Sequence, residues 1–529
     1  MMPLNRVRLA LPLLLAPWLA AAPEAAAQAA PLQGIDAEAA RALRTFEVPG
    51  LAVAVVKDGR VLLAKGYGVR ELGKPAAVDE NTVFQIASNT KAFTTAALGM
   101  LVDEGKLKWD DRVIDYLPWF RLSDPYVTRE FTIRDLLTHR SGLGLGAGDL
   151  LWLNSDYSRE EIVTRLRAVP PATSFRSAYA YDNVLYIAAG EVVAAASGTS
   201  WDDFIRERIF GPLGMRTAST SVSALKPGDD VAVPHGRIDG KLQVVARDTV
   251  DNIGPAGGIN ASVAELASWM RAQLDSGRVA GTGRRLWTAA RTRDFWTGVT
   301  IMPVGSAAPG LEAYQASFAE YGLGWNLRDY RGRKLATHTG GLSGMTSRTL
   351  LVPSERIGIV VLTNSESPAS TALAWTILDR LLGAPPTDWI GGFRAAEVKG
   401  EREAAEVERK AAAARAADSK PSLPLASYAG RYEDAMYGAA AIANDAGGLV
   451  LRFSHSPAFT ADLEHWQHDT FVARWRRNNI PDAYVTFALK ADGSIAGFRM
   501  AAVSPLADFS YDYQDLHFVP APAAPTAER

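Results

Sequence analysis

The chain has no cysteine among its 529 residues. A disulfide framework, a thiol nucleophile and a cysteine-ligated zinc site are therefore excluded, and so is the cysteine that anchors a lipoprotein. A protein without thiols has nothing to lose in an oxidising compartment, so export is compatible with this composition.

The chain also lacks an excess of charge, with 56 lysines and arginines against 58 aspartates and glutamates. This balance gives no electrostatic reason to expect nucleic acid or an anionic membrane as the main partner. Beyond the N-terminus every long apolar stretch is broken by charge or glycine within a few turns, so we expect no membrane span. Neither a G-x-S-x-G nucleophile elbow nor a Walker A loop occurs, which excludes the usual α/β-hydrolase.

No cofactor or metal site is predicted. The glycines of residues 142–146 follow a Ser-Gly turn rather than a strand, which disfavours dinucleotide binding. His465 and His468 lie close in sequence but have no convincing third ligand, so a structural or surface role is favoured.

The first 27 residues have the three parts of a secretory signal. Arg6 and Arg8 give a basic start, a short apolar run follows, and Ala25 and Ala27 fit the small-residue cleavage pattern. Two prolines interrupt the apolar run, which also falls short of the ~20 residues that span a bilayer, so a membrane anchor is disfavoured. We therefore expect residues 1–27 to be a cleaved signal peptide and the protein to be periplasmic or secreted.

The order of predicted elements after the signal is sheet, helical insertion, sheet, helix. Residues 48–69 read as two β-branched runs around Asp58-Gly59, a strong hairpin signal. Residues 106–250 are mostly helical and loop in character, strand character returns over 320–364, and a helical pattern covers 370–382. This order predicts an α/β architecture whose strands come from both ends of the sequence.

Composition divides the rest of the chain. We expect residues 34–390 to form the α/β domain and residues 391–424, rich in Ala, Glu, Lys and Arg, to form a charged helical linker. Short β segments over 425–519 predict a separate all-β unit, a barrel or a sandwich. The Pro/Ala-rich residues 520–529 are expected to be a disordered tail.

A Ser-x-x-Lys sequence occurs twice. Ser223 and Lys226 lie in a polar stretch with Pro227 directly after them, which indicates a loop. Ser88 and Lys91 instead open an apolar helical pattern. The chemistry therefore points to the first pair.

Residues at positions i and i+3 share a helical face, with Cβ atoms about 5–6 Å apart, so a lysine amine can take the proton of the serine hydroxyl. Burial lowers the pKa of a lysine and lets it act as a base near neutral pH. The N-terminus of a helix adds unpaired N–H groups where an oxyanion would form. Taken alone, the pair fits equally a helix N-cap serine followed by a surface lysine.

Two further motifs favour the catalytic interpretation. Tyr181 and Asn183 precede another apolar helical pattern, where a tyrosine can move a proton between nucleophile and leaving group and an amide can bind a substrate amide. His338 and Thr339 lie between strand-like runs, followed by two glycines. A glycine lets a substrate backbone approach an edge strand closely, and the Gly341 N–H is the natural second oxyanion donor.

With these motifs in this order, the chain resembles the serine β-lactamase and penicillin-binding-protein-like hydrolases, in particular the class C-like peptidase S12 group. The signature is Ser-x-x-Lys, Tyr-x-Asn, then Lys/His-Thr-Gly. The resemblance spans residues 34–382 and includes further stretches, namely LLTHRSGL (136–143), PLGM (212–215), PAGG (255–258), YGLGW (321–325) and VVLTN (360–364). From residue 428, YAGRYED resembles the lipocalin-like accessory domain of some members.

The resemblance implies an antiparallel sheet flanked by helices, with a helical subdomain, followed by a small all-β barrel-like domain. It implies catalysis without a metal or cofactor. It assigns the roles as follows: Ser88 the acylated nucleophile, Lys91 its base, Tyr181 the proton relay, Asn183, His338 and Thr339 the substrate-binding residues, and the N–H groups of Ser88 and Gly341 the oxyanion hole.

One departure from the signature concerns His338. Penicillin-recognising members have a lysine here, whose fixed charge favours a substrate carboxylate, whereas a histidine of ordinary pKa is mostly neutral at pH 7. A histidine at this position resembles the D-aminopeptidase and esterase branch. Carboxylate-bearing β-lactams are therefore less expected as substrates.

The sequence thus predicts an exported serine hydrolase that cleaves amide, peptide or ester bonds, D-amino-acid-containing ones included, through a Ser88 acyl-enzyme. The alternatives are a true β-lactamase or DD-carboxypeptidase, a carboxylesterase and, last, a non-catalytic binding protein. The expected partner is a small-molecule or peptide substrate, with oligomer formation through the C-terminal β unit left open.

Overall fold

A computed structural model of the chain describes residues 32–226, 228–445 and 447–522. The predicted signal peptide, residues 1–27, lies outside the described residues, and so does the predicted tail from residue 523 onward. Among the described helices, none combines the length and apolar character needed to cross a membrane.

An eight-stranded antiparallel sheet is the centre of the first domain. Its strand order is β2-β1-β12-β11-β10-β9-β8-β7, so the first hairpin pairs directly with the last strand, Leu51 opposite Thr363. Strands from both ends of the sequence therefore meet in one sheet, as predicted. The strands of the domain, including two small two-stranded ribbons (β3-β6 and β4-β5), are β1 (Gly50–Lys57), β2 (Arg60–Gly68), β3 (Phe84–Gln85), β4 (His235–Ile238), β5 (Lys241–Val244), β6 (Asn260–Ala261), β7 (Thr300–Ile301), β8 (Ala319–Tyr321), β9 (Asn326–Tyr330), β10 (Arg333–Leu342), β11 (Met345–Val352) and β12 (Ile357–Thr363).

Helices cover both faces of this sheet, because its central strands are apolar on both sides. Along β1, Val53 packs into one hydrophobic core with the helices from the two ends of the domain, while Ala54 packs into the other with the helical subdomain. The predicted antiparallel sheet flanked by helices is confirmed. The helices are α1 (Ile35–Phe46), α2 (Lys91–Asp103), α3 (Val113–Tyr116), α4 (Pro125–Glu130), α5 (Ile133–Leu136), α6 (Arg159–Arg165), α7 (Val184–Ser197), α8 (Trp201–Ile205), α9 (Gly211–Leu213), α10 (Gly254–Gly257), α11 (Val263–Leu274), α12 (Ala289–Phe295), α13 (Ala369–Leu382) and α14 (Trp389–Ala413).

Helix α2 lies at the centre of the domain, in contact with α7 and α10, and its residues from Lys91 to Leu101 are buried. The helical pattern predicted from Ser88 begins differently in the structure. Residues Ala87–Thr90 form a 3₁₀ turn that leads into the α-helix at Lys91. Ser88 thus lies on a tight turn just before the helix, with Lys91 in the first helical position.

A closed barrel follows the first domain, which confirms the predicted all-β barrel. Its eight strands pair in chain order, and the first closes on the last, with Tyr432 opposite Pro520. The strands are β13 (Gly430–Asp434), β14 (Gly438–Asp445), β15 (Gly448–Phe453), β16 (Thr460–Gln467), β17 (Thr470–Trp475), β18 (Ala483–Leu489), β19 (Ile495–Ala502) and β20 (His517–Pro520).

Two predicted boundaries differ from the structure. Strand β20 ends at Pro520, and the Ala521 N–H donates to the Arg431 carbonyl, so the first residues of the predicted tail belong to the closing strand of the barrel. The predicted linker begins inside helix α14, whose first turn is anchored to the domain: Trp389 is buried and its indole N–H donates to Asp379.

Candidate active site

A cavity of about 480 Å³ lies where the turn before α2, the turn before α7 and strand β10 meet. It brings together six of the seven predicted site residues, namely Ser88, Tyr181, Asn183, His338, Thr339 and Gly341. The seventh, Lys91, is buried directly beneath, where its Nζ donates a hydrogen bond to Ser88 Oγ at 3.0 Å. Sequence motifs more than 240 positions apart therefore meet around one serine.

Lys91 is fully buried and all three of its hydrogens have acceptors. Besides Ser88, Nζ donates to Asn183 Oδ1 at 2.7 Å and to the Ala256 carbonyl at 3.1 Å. Burial lowers the pKa of Lys91 to about 7, although the carboxyl groups of Asp149 and Asp182 act in the opposite direction. A neutral amine is thus well populated near pH 7; with its two hydrogens donated to Asn183 and Ala256, its lone pair is left to accept the proton of the Ser88 hydroxyl.

Tyr181 contacts both Ser88 and Lys91. Burial raises the pKa of Tyr181 well above 10, while a side-chain hydrogen bond with Ser88 works against that rise. Lys91 Nζ lies 4.8 Å from the centre of its ring. Tyr181 therefore carries its proton at neutral pH and can pass it on through its hydroxyl.

His338 on β10 is neutral because both ring nitrogens are engaged and its surroundings are buried. Its Nδ1 lies 2.6 Å from the Thr339 carbonyl oxygen, which can only accept, so Nδ1 carries the proton. Nε2 then accepts from the Tyr321 hydroxyl at 2.9 Å. Burial, with Lys91 nearby, lowers the pKa of His338 to about 3. His338 itself therefore offers no positive charge to a substrate carboxylate.

The amide of Asn183 is more occupied than the sequence predicted. Its Oδ1 accepts from Lys91, and its Nδ2 donates to Asp149 Oδ2 at 2.8 Å. One Nδ2 hydrogen and the second lone pair of Oδ1 are left for a substrate amide, so the role of Asn183 in substrate binding stays a prediction. Asn183 orients the base at least as much as it faces substrate.

Strand β10 approaches the Ser88 turn closely because of one glycine. A Cβ at Gly340 would stand 2.3 Å from the Ile86 carbonyl oxygen and 3.0 Å from the Ala87 side chain. At Gly341, in contrast, nothing lies within 4 Å of that position, so the strand is open toward the cavity. Gly341 and Ser88 line the same cavity, and the role of the Gly341 N–H as an oxyanion donor stays a prediction.

The other candidates of the sequence lie elsewhere. Ser223 is exposed and hydrogen-bonds the Asp251 carboxylate, so the second Ser-x-x-Lys forms no comparable pair. His465 Nε2 lies 2.9 Å from the His468 carbonyl oxygen on the barrel surface. Within the described residues, no three His, Asp or Glu side chains are grouped to hold a metal ion.

Two carboxyl groups of the site escaped the sequence prediction. Asp149 is fully buried, accepts from the Trp152 indole at 2.8 Å, and has its pKa raised by burial to about 7. Asp182 is also fully buried; burial and the nearby Asp149 raise its pKa to about 8. Asp182 lies between the motif residues Tyr181 and Asn183, so its position in the sequence could have indicated a place in the site. No spacing or motif indicates Asp149.

The barrel contributes part of the cavity wall, through the segment between β19 and β20. Asp508, Phe509 and Ser510 line the cavity, and the Phe509 ring centre lies 5.7 Å from that of Tyr181. A second cavity of about 500 Å³ adjoins the first and shares Trp152 and Gly341 with it. The serine therefore opens into a long cleft between the two domains, which sequence patterns alone did not indicate.

The sequence and the fold were compared with those of known proteins. The family model described as Beta-lactamase matches residues 36–384, and a domain of unknown function, DUF3471, matches residues 414–520. Penicillin-binding protein 4 of Amycolatopsis lactamdurans is 32% identical over 371 residues, which cover 68% of this chain and 90% of that protein. Unguisins hydrolase ungD of Aspergillus violaceofuscus is 28% identical over 483 residues, covering 84% and 83%.

A D-aminopeptidase of Cereibacter sphaeroides is 28% identical over 366 residues, covering 65% of this chain and 63% of that protein. Among solved structures, the octameric penicillin-binding protein homologue from Pyrococcus abyssi superimposes with a TM-score of 0.56 at 21% identity, covering 92% of this chain and 99% of that one. This likeness extends over both the sheet domain and the barrel, and it concerns the fold.

Proposed function

The chain belongs to the beta-lactamase family and is a serine hydrolase, and we propose that it cleaves amide or peptide bonds, including those of D-amino acids, or esters, through an acyl-enzyme on Ser88. The observation that carries the proposal is the hydrogen bond between the buried amine of Lys91 and the Ser88 hydroxyl, at the floor of an open cleft. A lysine held neutral by burial beside a serine is the arrangement that activates such a nucleophile.

The proposed reaction has two halves. Neutral Lys91 takes the hydroxyl proton of Ser88 as Oγ bonds to the substrate carbonyl carbon, and the N–H groups of Ser88 and Gly341 receive the oxyanion. The bond to the leaving group then breaks, and the leaving amine or alkoxide takes a proton that Tyr181 passes on from Lys91. In the second half, Lys91 takes a proton from a water molecule as its oxygen bonds to the ester carbonyl carbon. The bond to Ser88 Oγ then breaks, Oγ regains a proton, and the acid is released.

The neutrality of His338 supports substrates without a carboxylate beside the scissile bond. With Nδ1 donating to a backbone carbonyl and Nε2 accepting from Tyr321, the ring offers no charge to an anionic group. The relative named D-aminopeptidase supports the assignment to D-amino-acid peptides or amides.

A second candidate is a β-lactamase or DD-carboxypeptidase, which the 32% identical relative named penicillin-binding protein 4 favours. A carboxylesterase would use the same residues, since an ester carbonyl meets the same nucleophile. A binding protein without activity is the least favoured, because it has no physical need for a buried lysine beside a serine.

Export belongs to the proposal as well. It rests on residues 1–27, whose composition is that of a cleaved signal peptide and which would direct the protein to the periplasm or outside the cell. We further propose that the barrel, residues 425–519 as predicted, mediates an oligomer; the similar fold of an octameric homologue supports this.

The test is a hydrolysis panel with D-aminoacyl anilides, acyl-D-Ala-D-Ala peptides, a chromogenic cephalosporin and short p-nitrophenyl esters. We expect the highest kcat/KM on a D-aminoacyl amide or an ester, and an acyl adduct on Ser88 by intact-mass spectrometry. Ser88→Ala should abolish turnover, whereas Ser223→Ala, in the second Ser-x-x-Lys, should leave it unchanged. If Ser88→Ala retained turnover, the proposed mechanism would be wrong. Rapid cleavage of the cephalosporin would favour a β-lactamase, the second candidate.

A further inference from the structure

Three carboxyl groups lie beneath the Ser88–Lys91 pair without any exposed surface. Asp149 and Asp182 come from the sheet domain, and Asp512 comes from the barrel. Buried carboxyl groups are rare unless they are paired or hydrogen-bonded, so their partners show what they hold in place.

Asp512 holds a turn of the other domain. Its Oδ2 accepts from the Gly148 N–H and its Oδ1 from the Leu150 N–H, both at 2.9 Å. This turn, the 3₁₀ helix Asp149–Leu151, begins after Gly148 in a left-handed conformation (φ 82°) and has no side-chain cap of its own. An aspartate from the barrel thus supplies the cap that satisfies the free N–H groups at the start of the turn.

The residue that this turn presents is Asp149. Its Oδ1 accepts from the Trp152 indole and its Oδ2 from Asn183 Nδ2, both at 2.8 Å, and Ser510 of the barrel adds a side-chain hydrogen bond. Above its pKa of about 7 Asp149 is a carboxylate, which only accepts, and it then decides which way the Asn183 amide points. The amide oxygen must then face Lys91, which donates to it at 2.7 Å.

We propose that Asp512 and Asp149 are positioning residues for the catalytic base, through one chain of hydrogen bonds that runs from the barrel to the lysine amine. Asp512 caps the turn, the turn holds Asp149, Asp149 orients the amide of Asn183, and that amide fixes Lys91 against Ser88. The proposal rests on the proposed function in one respect, namely that Lys91 is the base.

The charges around Lys91 determine how a change in the chain of hydrogen bonds should alter the pH profile of kcat/KM. The carboxyl groups of Asp149 and Asp182 raise the pKa of Lys91 against the effect of burial. The rings of Tyr181 and Tyr186 lie within 5.3 Å of Nζ, and His139 and His338 face it as neutral groups, their pKa values lowered by burial and by Lys91. Loss of a nearby carboxylate leaves the ammonium less stabilised, so Lys91 should deprotonate at a lower pH.

The experiment compares Asp149→Asn, Asp512→Asn and the double variant in the full chain, by kcat/KM for the best substrate of the panel from pH 5 to 9. For each single variant we expect a loss of about tenfold or more, since a misplaced catalytic group reacts far more slowly. We also expect the acidic limb of the Asp149→Asn profile to move to lower pH, whereas Asp512 is not among the carboxyl groups that act on the pKa of Lys91, so Asp512→Asn should lower the rate. The kcat/KM of the double variant should be no lower than that of the less active single variant, because both residues act through one chain of hydrogen bonds.

The matched control is Asp462→Asn, an aspartate on strand β16 of the barrel that is exposed and outside the cavity wall. It should keep both the rate and the profile of the unaltered protein. Rates are referred to the concentration of enzyme that reacts with a fluorophosphonate, which separates positioning from loss of folded protein. Asp512→Asn enzyme with an unaltered rate per labelled site would overturn the proposal.

A milder variant decides the matter if Asp512→Asn does not fold. Ser510→Ala removes one hydrogen bond to Asp149 and keeps both contacts of Asp512, so it should show a smaller rate loss and a shift in the same direction; no change at all would contradict the proposal. Lys91→Met and Ser88→Ala test the premise. If either retained full turnover, the proposed function itself would fail, whereas inactive premise variants beside an unaffected Asp149→Asn would refute only the positioning chain.

Discussion

At the scale of single residues, the site depends on ionisable groups whose charged forms are disfavoured by burial. Lys91 is fully buried together with Asp149 and Asp182, and burial disfavours the charged form of each group. The pKa of Lys91 is lowered to about 7 while that of Asp149 is raised to about 7, so the two titrate as a coupled pair. Small changes near the amine therefore move the balance between its neutral and charged forms.

The first prediction is that kcat/KM falls on the acidic side of about pH 7, the pKa of Lys91. The reaction needs the neutral amine, which is present above that pKa and is lost as the pH drops through it. His338→Gln is the control, because the pKa of His338 is about 3 and its titration cannot produce this limb. If the limb disappeared in that variant, the assignment to Lys91 would be wrong.

The linkage to stability has the same origin as the loss of activity and the same direction, but it acts over a higher pH range. The folded-state pKa of Lys91 is below the ordinary 10.5, so between these values the unfolded chain binds a proton that the folded chain does not. The contribution of Lys91 to the free energy of unfolding should therefore become less favourable as the pH falls from about 10 to 7.

The second prediction concerns the proton relay. Tyr181→Phe should lower kcat by about 10²–10⁴-fold, the usual effect of removing a general acid–base group. Tyr186→Phe is the matched control: this buried hydroxyl donates to the Leu137 carbonyl instead. It should lose about 1 kcal/mol of stability and keep its kcat. Steady-state kinetics with both variants, beside thermal unfolding, checks the difference.

At the scale of secondary structure, the site exists because a strand and a turn pack without a side chain between them. Gly340 on β10 faces the turn that carries Ser88, and β10 in turn is fixed by β11, with His338 opposite Thr349. The distance between nucleophile and strand is therefore set by backbone contact, which is stiffer than contact through flexible side chains.

The third prediction is that Gly340→Ala loses both activity and stability, because its Cβ would stand 2.3 Å from the Ile86 carbonyl oxygen and 2.4 Å from Ser347 Oγ. The backbone must move, and overpacking of this kind typically costs about 1–3 kcal/mol. Gly341→Ala is the control for folding, since nothing lies within 4 Å of its Cβ position. Chemical denaturation should show a lowered midpoint for the first variant alone.

Periodicity and spacing predicted the elements that carry the motifs. A serine and a lysine three residues apart, an apolar pattern after them and a glycine-rich strand are local features; it was the resemblance to the β-lactamase-like hydrolases that joined Ser88, Lys91 and Gly341 into one site. Asp149 and Asp512 could not be found in this way. Their roles depend on a contact between residues 364 positions apart, and no local pattern reports which barrel loop meets which turn.

At the scale of the whole molecule, the two domains share one continuous hydrophobic core, which contains Phe93 of α2 as well as Phe453 of the barrel. Polar contacts reinforce it: Tyr157 donates to the Tyr437 carbonyl, and Arg477 of the barrel pairs at 2.7 Å with the buried Asp248. We expect the domains to unfold together in a single calorimetric transition.

The fourth prediction tests this union. Arg477→Ala leaves the Asp248 carboxylate buried without its ion-pair partner, which should lower the free energy of unfolding by about 1–3 kcal/mol. Arg474→Ala, near the end of strand β17 and just before Arg477 in the chain, removes exposed pairs with Glu464 and Asp482 and should cost well under about 1 kcal/mol. Differential scanning calorimetry of both variants measures the difference, and equal losses would contradict the interfacial role of Arg477.

The cap that Asp512 places on the Gly148 turn also bears on how the protein folds. A contact that closes a loop of 364 residues forms late, because long-range contacts must overcome chain entropy that local ones do not. Each domain can gain its secondary structure before the two are docked, but the turn that orients the base is complete only afterwards. In refolding from denaturant, recovery of the circular dichroism signal should therefore precede recovery of turnover.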